Sequence, residues 1–285
     1  MNHQRRAGLY VDELLLELET SVEDEVSLRH PMALREVVGR RRVEELAAVS
    51  AGIFSKVEPS HTWSGVNIGG REWYGRFQDR RIRGVTVAQR FGKHVQADIF
   101  LGSFPAPVRQ SLRDACRDHI GADAWLLPPG IDTALPPAPA DEVLDAKLTF
   151  GLAADALLTS PVACKPVRGA ADVERVCSHT IAVYGERAYG PRLTAGLATL
   201  SLWTGSVAGL PLEVVSVLHW EDSQHVKVME MAMRPWPVVA LFQARMQART
   251  LSFLDASYFE SDNGATPLQY EVDPVRGRRK KWNIE

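Results

Sequence analysis

HPMALREVVGRRRVEELAAVSAGIF (residues 30–54) and SPVACKPVRGAADVERVCSHTIAVY (residues 160–184) carry one pattern at two places, 130 positions apart. Pro31 matches Pro161, Val37 matches Val167, Gly39 matches Gly169, Val43 matches Val173 and Glu44 matches Glu174. The correspondence continues through Trp73 and Trp203, Gly75 and Gly205, Val85 and Val215, and Val87 and Val217. A single-residue slip then pairs His94-Val95 with His225-Val226. Beyond it Pro105, Pro107 and Val108 meet Pro235, Pro237 and Val238 at the original spacing. An order held this far predicts a duplicated structural unit.

Periodicity agrees within each copy. Val43, Leu46, Ala47, Ala51 and Phe54 recur at helical spacing, as do Val173, Val176, Cys177, Ile181 and Tyr184. Each helix follows a glycine, and Asp172 places a carboxylate where the helix dipole favours it. REWYGRF, IRGVTVAQRF and HVQADIFLGSF in the first copy, and LATLSLWTGSV, LEVVSVLHW and HVKVMEMAM in the second, alternate in polarity between glycine-bearing turns. They predict an antiparallel meander. PVRQSLRDACRDHI and PVVALFQARMQART close the two copies as helices, while VDELLLELETSVEDEV and DEVLDAKLTFGLAADALL open them as amphipathic helices. The expected unit is helix, short strand, helix, three or more strands, helix.

The chain of 285 residues has room for two such units: residues 1–120, and residues 141–250. GADAWLLPPGIDTALPPAPA, residues 121–140, is rich enough in proline to predict a stiff, extended linker. Residues 251–285 form a C-terminal extension that ends in the basic VRGRRKKWNIE, a solvated tail or a phosphate- or partner-binding one. Apolar residues make up 45% and charged residues 24%, with a net charge of −2, which argues against general affinity for nucleic acid or an anionic membrane. The acidic residues Asp12, Glu13 and Glu17 interrupt the N-terminal apolar run, and no stretch reaches the roughly 20 apolar residues that cross a bilayer. Cys116, Cys164 and Cys177 are scattered, which fits reduced thiols in a cytoplasmic protein.

LTFGLAADALLTSPVACKPVRGAADV, GLPLEVVSVLHW and VKVMEMAMRPWPVVALFQARM together resemble the nuclear transport factor 2-like superfamily, in particular its SnoaL-like, polyketide cyclase-like branch. Through the repeat the resemblance extends to residues 9–120. It implies an α+β fold of two tandem cones, each a curved antiparallel sheet wrapped on helices around an apolar pocket and each lacking a full first helix. It also implies packing of the two as a pseudo-dimer within one chain, with further self-association left open. The other copy or the C-terminal segment would then cap each mouth.

The resemblance also directs attention to particular positions. Where steroid isomerases of this superfamily carry a proton-shuttling acid before the proline, this chain has His30 and Ser160. The second acid position falls at Thr86 and Ser216, and the aromatic lining at Trp73 and Trp203. The isomerase acids are therefore missing from both copies. Asp98, on the last strand of the first copy, matches a strand on which cyclases of this branch carry an acid. His30 exchanges protons near neutrality, so His30 with Asp98 is the candidate catalytic pair. The plainer readings stand beside it: a histidine before proline is a turn residue, and Asp98 faces solvent with Gln96. Trp73, Thr86, Phe100, Ser160, Trp203, Ser216, Met229 and Met231 are the candidate substrate-binding residues, with Met233 continuing the methionine stripe.

No metal motif, P-loop, dinucleotide fingerprint or nucleophile elbow occurs, so neither cofactor nor metal is expected. The expectation is a cofactor-independent enzyme acting by acid–base catalysis on a small apolar, polyketide- or terpenoid-like molecule, through cyclisation, isomerisation, dehydration or epoxide opening. The alternative is a non-catalytic ligand-binding or assembly module of the same fold. Neither nucleic acid nor membrane is an expected partner.

Overall fold

Glycines 39 and 169 set the first matched corner of the structure. With φ of 103° and 88°, they take a backbone conformation that a side chain rarely adopts. The Gly39 N–H donates to the Val26 carbonyl and the Gly169 N–H to the Ala156 carbonyl, each at 2.8 Å. From these corners start α2 (Arg40–Gly52) and α4 (Ala170–Tyr184), whose apolar faces are buried. The computed structural model describes residues 8–121, 123–135, 148–184 and 187–259. It divides into two compact units, Met1–Trp125 and Leu126–Glu285.

The first unit runs α1 (Val11–Glu17), β1 (Glu25–Arg29), β2 (Val37–Val38), α2, β3 (Lys56–Gly65), β4 (Ile68–Phe77), β5 (Arg80–Phe91), β6 (His94–Leu101) and α3 (Ala106–Ile120). Strands β3, β4, β5 and β6 form an antiparallel meander. β1 joins β6 in parallel, and β2 pairs with β1. The second unit repeats this order from β7 (Gly151–Thr159) and β8 (Val167–Arg168) through α4, β9 (Ala188–Ala195), β10 (Ala198–Val207), β11 (Leu210–Trp220), β12 (His225–Arg234) and α5 (Trp236–Thr250). β9 to β12 form its meander, β7 lies parallel to β12, and β8 pairs with β7. Register irregularities at Pro59/Thr62 and at Ser201/Trp203 fall at corresponding places and bend the two edge strands.

Two expected helices differ from the structure. VDELLLELETSVEDEV is helical only to Glu17, because Ser21 donates its N–H to the Asp24 carboxylate at 2.6 Å and closes a turn that feeds β1. Of DEVLDAKLTFGLAADALL, residues 151–158 form most of β7, and residues 141–147 lie outside the described residues. Its Ala and Leu residues favour helix locally, but pairing with β8 and β12 and burial of Ala153, Ala156 and Leu158 override that preference. The opening of the expected extended linker is folded instead: Trp125 is buried with the Arg113 guanidinium 4.8 Å above its ring. Residues 136–140 and the basic tail lie outside the described residues. Among the described residues, no helix is long and apolar enough to cross a membrane.

Candidate functional site

Trp203 on β10 and Ser216 on β11 form the floor of a cavity of about 400 Å³ in the second unit, with the indole N–H donating to Ser216 Oγ at 2.8 Å. Met229, Met231 and Met233 on β12 project to the same side, because alternate residues of a strand share a face. Cys177, Thr180 and Tyr184 on α4 and Phe242 and Met246 on α5 complete the wall. The Tyr184 ring lies 5.1 Å from that of Trp203 and 5.7 Å from that of Phe242. Ser160 lines the cavity while its Oγ accepts the Val162 N–H at 3.2 Å. Leu254 and Phe259, beyond α5, close one side. Their segment is tied down where the Cys164 N–H donates to the Tyr258 carbonyl at 2.6 Å.

Charge among the described residues of this cavity has one sign. Among the described residues that line it, the only ionised side chains are Arg187 and Arg192. The Arg187 guanidinium carbon lies 5.6 Å from the Trp203 and Tyr189 rings and 5.8 Å from the Tyr184 ring. Arg192 stands 5.8 Å from the Trp220 ring. Burial pushes the Cys177 thiol up to about 12 and raises the Tyr184 phenol, so both groups are neutral near pH 7.

The first unit uses the matching positions otherwise. The Trp73 indole N–H donates to Thr86 Oγ1 at 3.0 Å, as Trp203 does to Ser216. Thr86 Oγ1 in turn donates to the Leu9 carbonyl at 2.6 Å, and Leu9, Val11, Leu14 and Leu15 are buried. The α1 segment therefore occupies the side of the sheet on which the second unit has its cavity. Glu17, at the end of that helix, forms an ion pair with Arg71 on β4.

His30 and Asp98 are not brought together as a catalytic pair lining a pocket. His30 is fully buried after β1, its Nε2 3.0 Å from Ser50 Oγ and 3.7 Å from Cys116 Sγ, and its Nδ1 accepts the Met32 N–H at 3.2 Å. Asp98 pairs in register with Arg29, which donates Nη2 to its carboxylate at 2.9 Å. Asp98 and Phe100 align with Val87 and Val85, whereas Ile99 aligns with Thr86. Asp98 and Phe100 thus lie on the opposite face of the sheet from Thr86 and Trp73, which corrects their expected place in the cone. The cause is register. Ala88 pairs with Ala97 as Leu218 pairs with Met229, so the counterpart of Met229 is Ala97, and that of Asp98 is Glu230. A one-residue slip exchanges the two faces of a strand.

Ser160, Trp203, Ser216, Met229 and Met231 are brought together at the cavity. Arg187 and Arg192 are the groups that sequence reasoning missed. A signal for them lay in the 130-residue offset, which sets Val57 and Thr62 of the first unit against Arg187 and Arg192.

No family model matches the chain. No curated protein matches it either. Several solved structures are similar to part of it. A steroid delta-isomerase from Pseudomonas aeruginosa is 24% identical, covering 36% of this chain and 76% of its own, with a TM-score of 0.34. An uncharacterized protein with a cystatin-like fold from Silicibacter pomeroyi is 23% identical, covering 40% and 79%, with a TM-score of 0.35. An NTF-2 like protein of unknown function from Burkholderia xenovorans is 15% identical, covering 30% and 65%, with a TM-score of 0.27. The described residues form a mixed α+β architecture with open, bent antiparallel meanders and five α-helices.

Proposed function

We propose that the second unit is a binding cup for a small, largely apolar molecule, and that the two units are tandem copies of which the first is sealed by its own N-terminal segment. The observation that carries this reading is the contrast between two matched indole–hydroxyl pairs. Thr86 is engaged by the Leu9 carbonyl, whereas Ser216 and Trp203 border an apolar cavity. The tandem reading is supported by the matched bonds at Gly39 and Gly169 and by the acceptor that His30 offers Met32, as Ser160 offers Val162.

A cavity of about 400 Å³ is of the size that holds a small organic molecule, and apolar walls with a few polar atoms are what such sites present. Three methionines give the wall adaptable, polarizable contacts, and Trp203 and Tyr184 give it flat ones. The binding reading is preferred to acid–base catalysis of the isomerase kind on the chemistry of the wall. Ser160, Ser216 and Thr180 are weak acids, and burial holds Cys177 and Tyr184 protonated.

Titration of the full chain with the neutral fluorophore 1-aminoanthracene tests the proposal. Saturable binding to the native chain is expected. Met231→Trp, which narrows the cavity, should weaken it while circular dichroism and the thermal midpoint report a folded protein. A native chain that does not bind the probe, or a folded Met231→Trp variant that binds it unchanged, would overturn the reading.

A further inference from the structure

We infer that the molecule held in the second unit is an apolar carboxylic acid, its carboxylate met by one of the arginines that line the cavity, Arg187 or Arg192, and its hydrocarbon body against Trp203 and the methionines. This rests on the binding reading above and specifies its ligand class. The first argument is charge. Two guanidinium groups meet an apolar cavity, and no carboxylate stands among the described residues that line it. No described carboxylate lies within ion-pair distance of Arg187, whose described neighbours are three aromatic rings. A cation against a wall of low polarity attracts an anion more strongly than it would in open water. The flat guanidinium fork fits the two oxygens of a carboxylate.

The second argument comes from the first unit, where the same rung of the sheet is already satisfied. Thr62 pairs across to Arg71, and at the matching rung Arg192 pairs across to Ser201. The arginine has changed strands, but each unit keeps one on that rung. In the first unit Arg71 is answered by the Glu17 carboxylate at the end of α1, whose Leu14 and Leu15 are buried. The sealing segment is thus an apolar body ending in a carboxylate, and it meets an arginine. A free acid of that chemistry would reproduce the arrangement in the second unit.

Displacement of bound 1-aminoanthracene by anthracene-2-carboxylate and by its methyl ester separates the outcomes. Arg187 is half-buried and Arg192 exposed, so the acid should displace the probe about threefold to tenfold more tightly than the ester. In Arg187→Gln combined with Arg192→Gln, the acid should weaken to the level of the ester, while circular dichroism and the thermal midpoint report a folded protein. Raised salt should narrow the gap between acid and ester in the native chain. Equal displacement by acid and ester, or an acid preference that survives in the double variant, would overturn this inference and leave the binding reading standing. A native chain that binds none of the three compounds would overturn both.

Discussion

Thr86 Oγ1 donates to the Leu9 carbonyl at 2.6 Å and accepts the Trp73 indole N–H at 3.0 Å, so one fully buried hydroxyl joins the sheet to the sealing segment. Replacing it with valine keeps the shape but leaves a buried donor and a buried acceptor without that partner. Thr86→Val should lower stability by about 1–3 kcal/mol, measured from urea midpoints. Ser216→Ala, at the matched position beside a cavity, should cost less. Equal losses at the two positions would contradict the assigned contrast.

Gly84 faces Trp73 across the ladder, and a Cβ built there would lie 2.1 Å from Trp73 Cζ2. Gly84→Ala should therefore push the indole off Thr86 at a cost of about 1–3 kcal/mol. The indole should also show a shifted emission spectrum. Gly205→Ala meets Tyr184 Cβ at 3.0 Å and should be milder. Native stability and emission in Gly84→Ala would refute the packing described for the first unit.

His30 is expected to act through the turn it closes. His30→Ala removes the acceptor of the Met32 N–H and a polar neighbour of Ser50, and should cost about 1–3 kcal/mol. His30→Asn supplies an oxygen to the same N–H, as side chains in Asx turns do, and should recover part of the loss. If both variants keep native stability, the histidine has no structural role of this kind.

Alkaline sensitivity follows from the cavity wall. The Cys177 thiol is raised from 9.0 to about 12, chiefly by burial. Between those values the unfolded chain has lost the proton and the folded chain retains it. The folded state binds more protons there, so stability falls as pH rises across that window. Tyr184, raised by burial as well, acts with the same sign. Cys177→Ala should flatten the decline of urea midpoints from about pH 9 upward. An unchanged slope would assign the sensitivity to other groups.

The matching order of elements in the two units was legible because both halves of the sequence carry residues whose geometry is demanding: glycine at positive φ, proline before a helix, tryptophan facing a hydroxyl. The edge strands were not. β3 contains Pro59 and β9 contains Gly190 and Pro191, and both are mostly exposed, so neither alternates cleanly. Missing β9 meant missing Arg187, just before it, and Arg192, within it. The methionine stripe was readable from alternation alone. Asp98 was misplaced because the resemblance pointed to its strand and not to the face of the sheet on which it lies. The two last strands differ in register by an amount that only their pairing with β5 and β11 reveals.

The segments that cover the two sheets are made at opposite moments of synthesis. Leu9–Leu15 precedes every strand of its sheet, so the first unit holds its stopper before there is a vessel, and unpaired leucines wait until β5 follows. Leu254 and Phe259 come after the second sheet is complete. With chains made from the N-terminus onward, the segment that closes the second unit is made after the strands it covers, whereas that of the first unit is made before them.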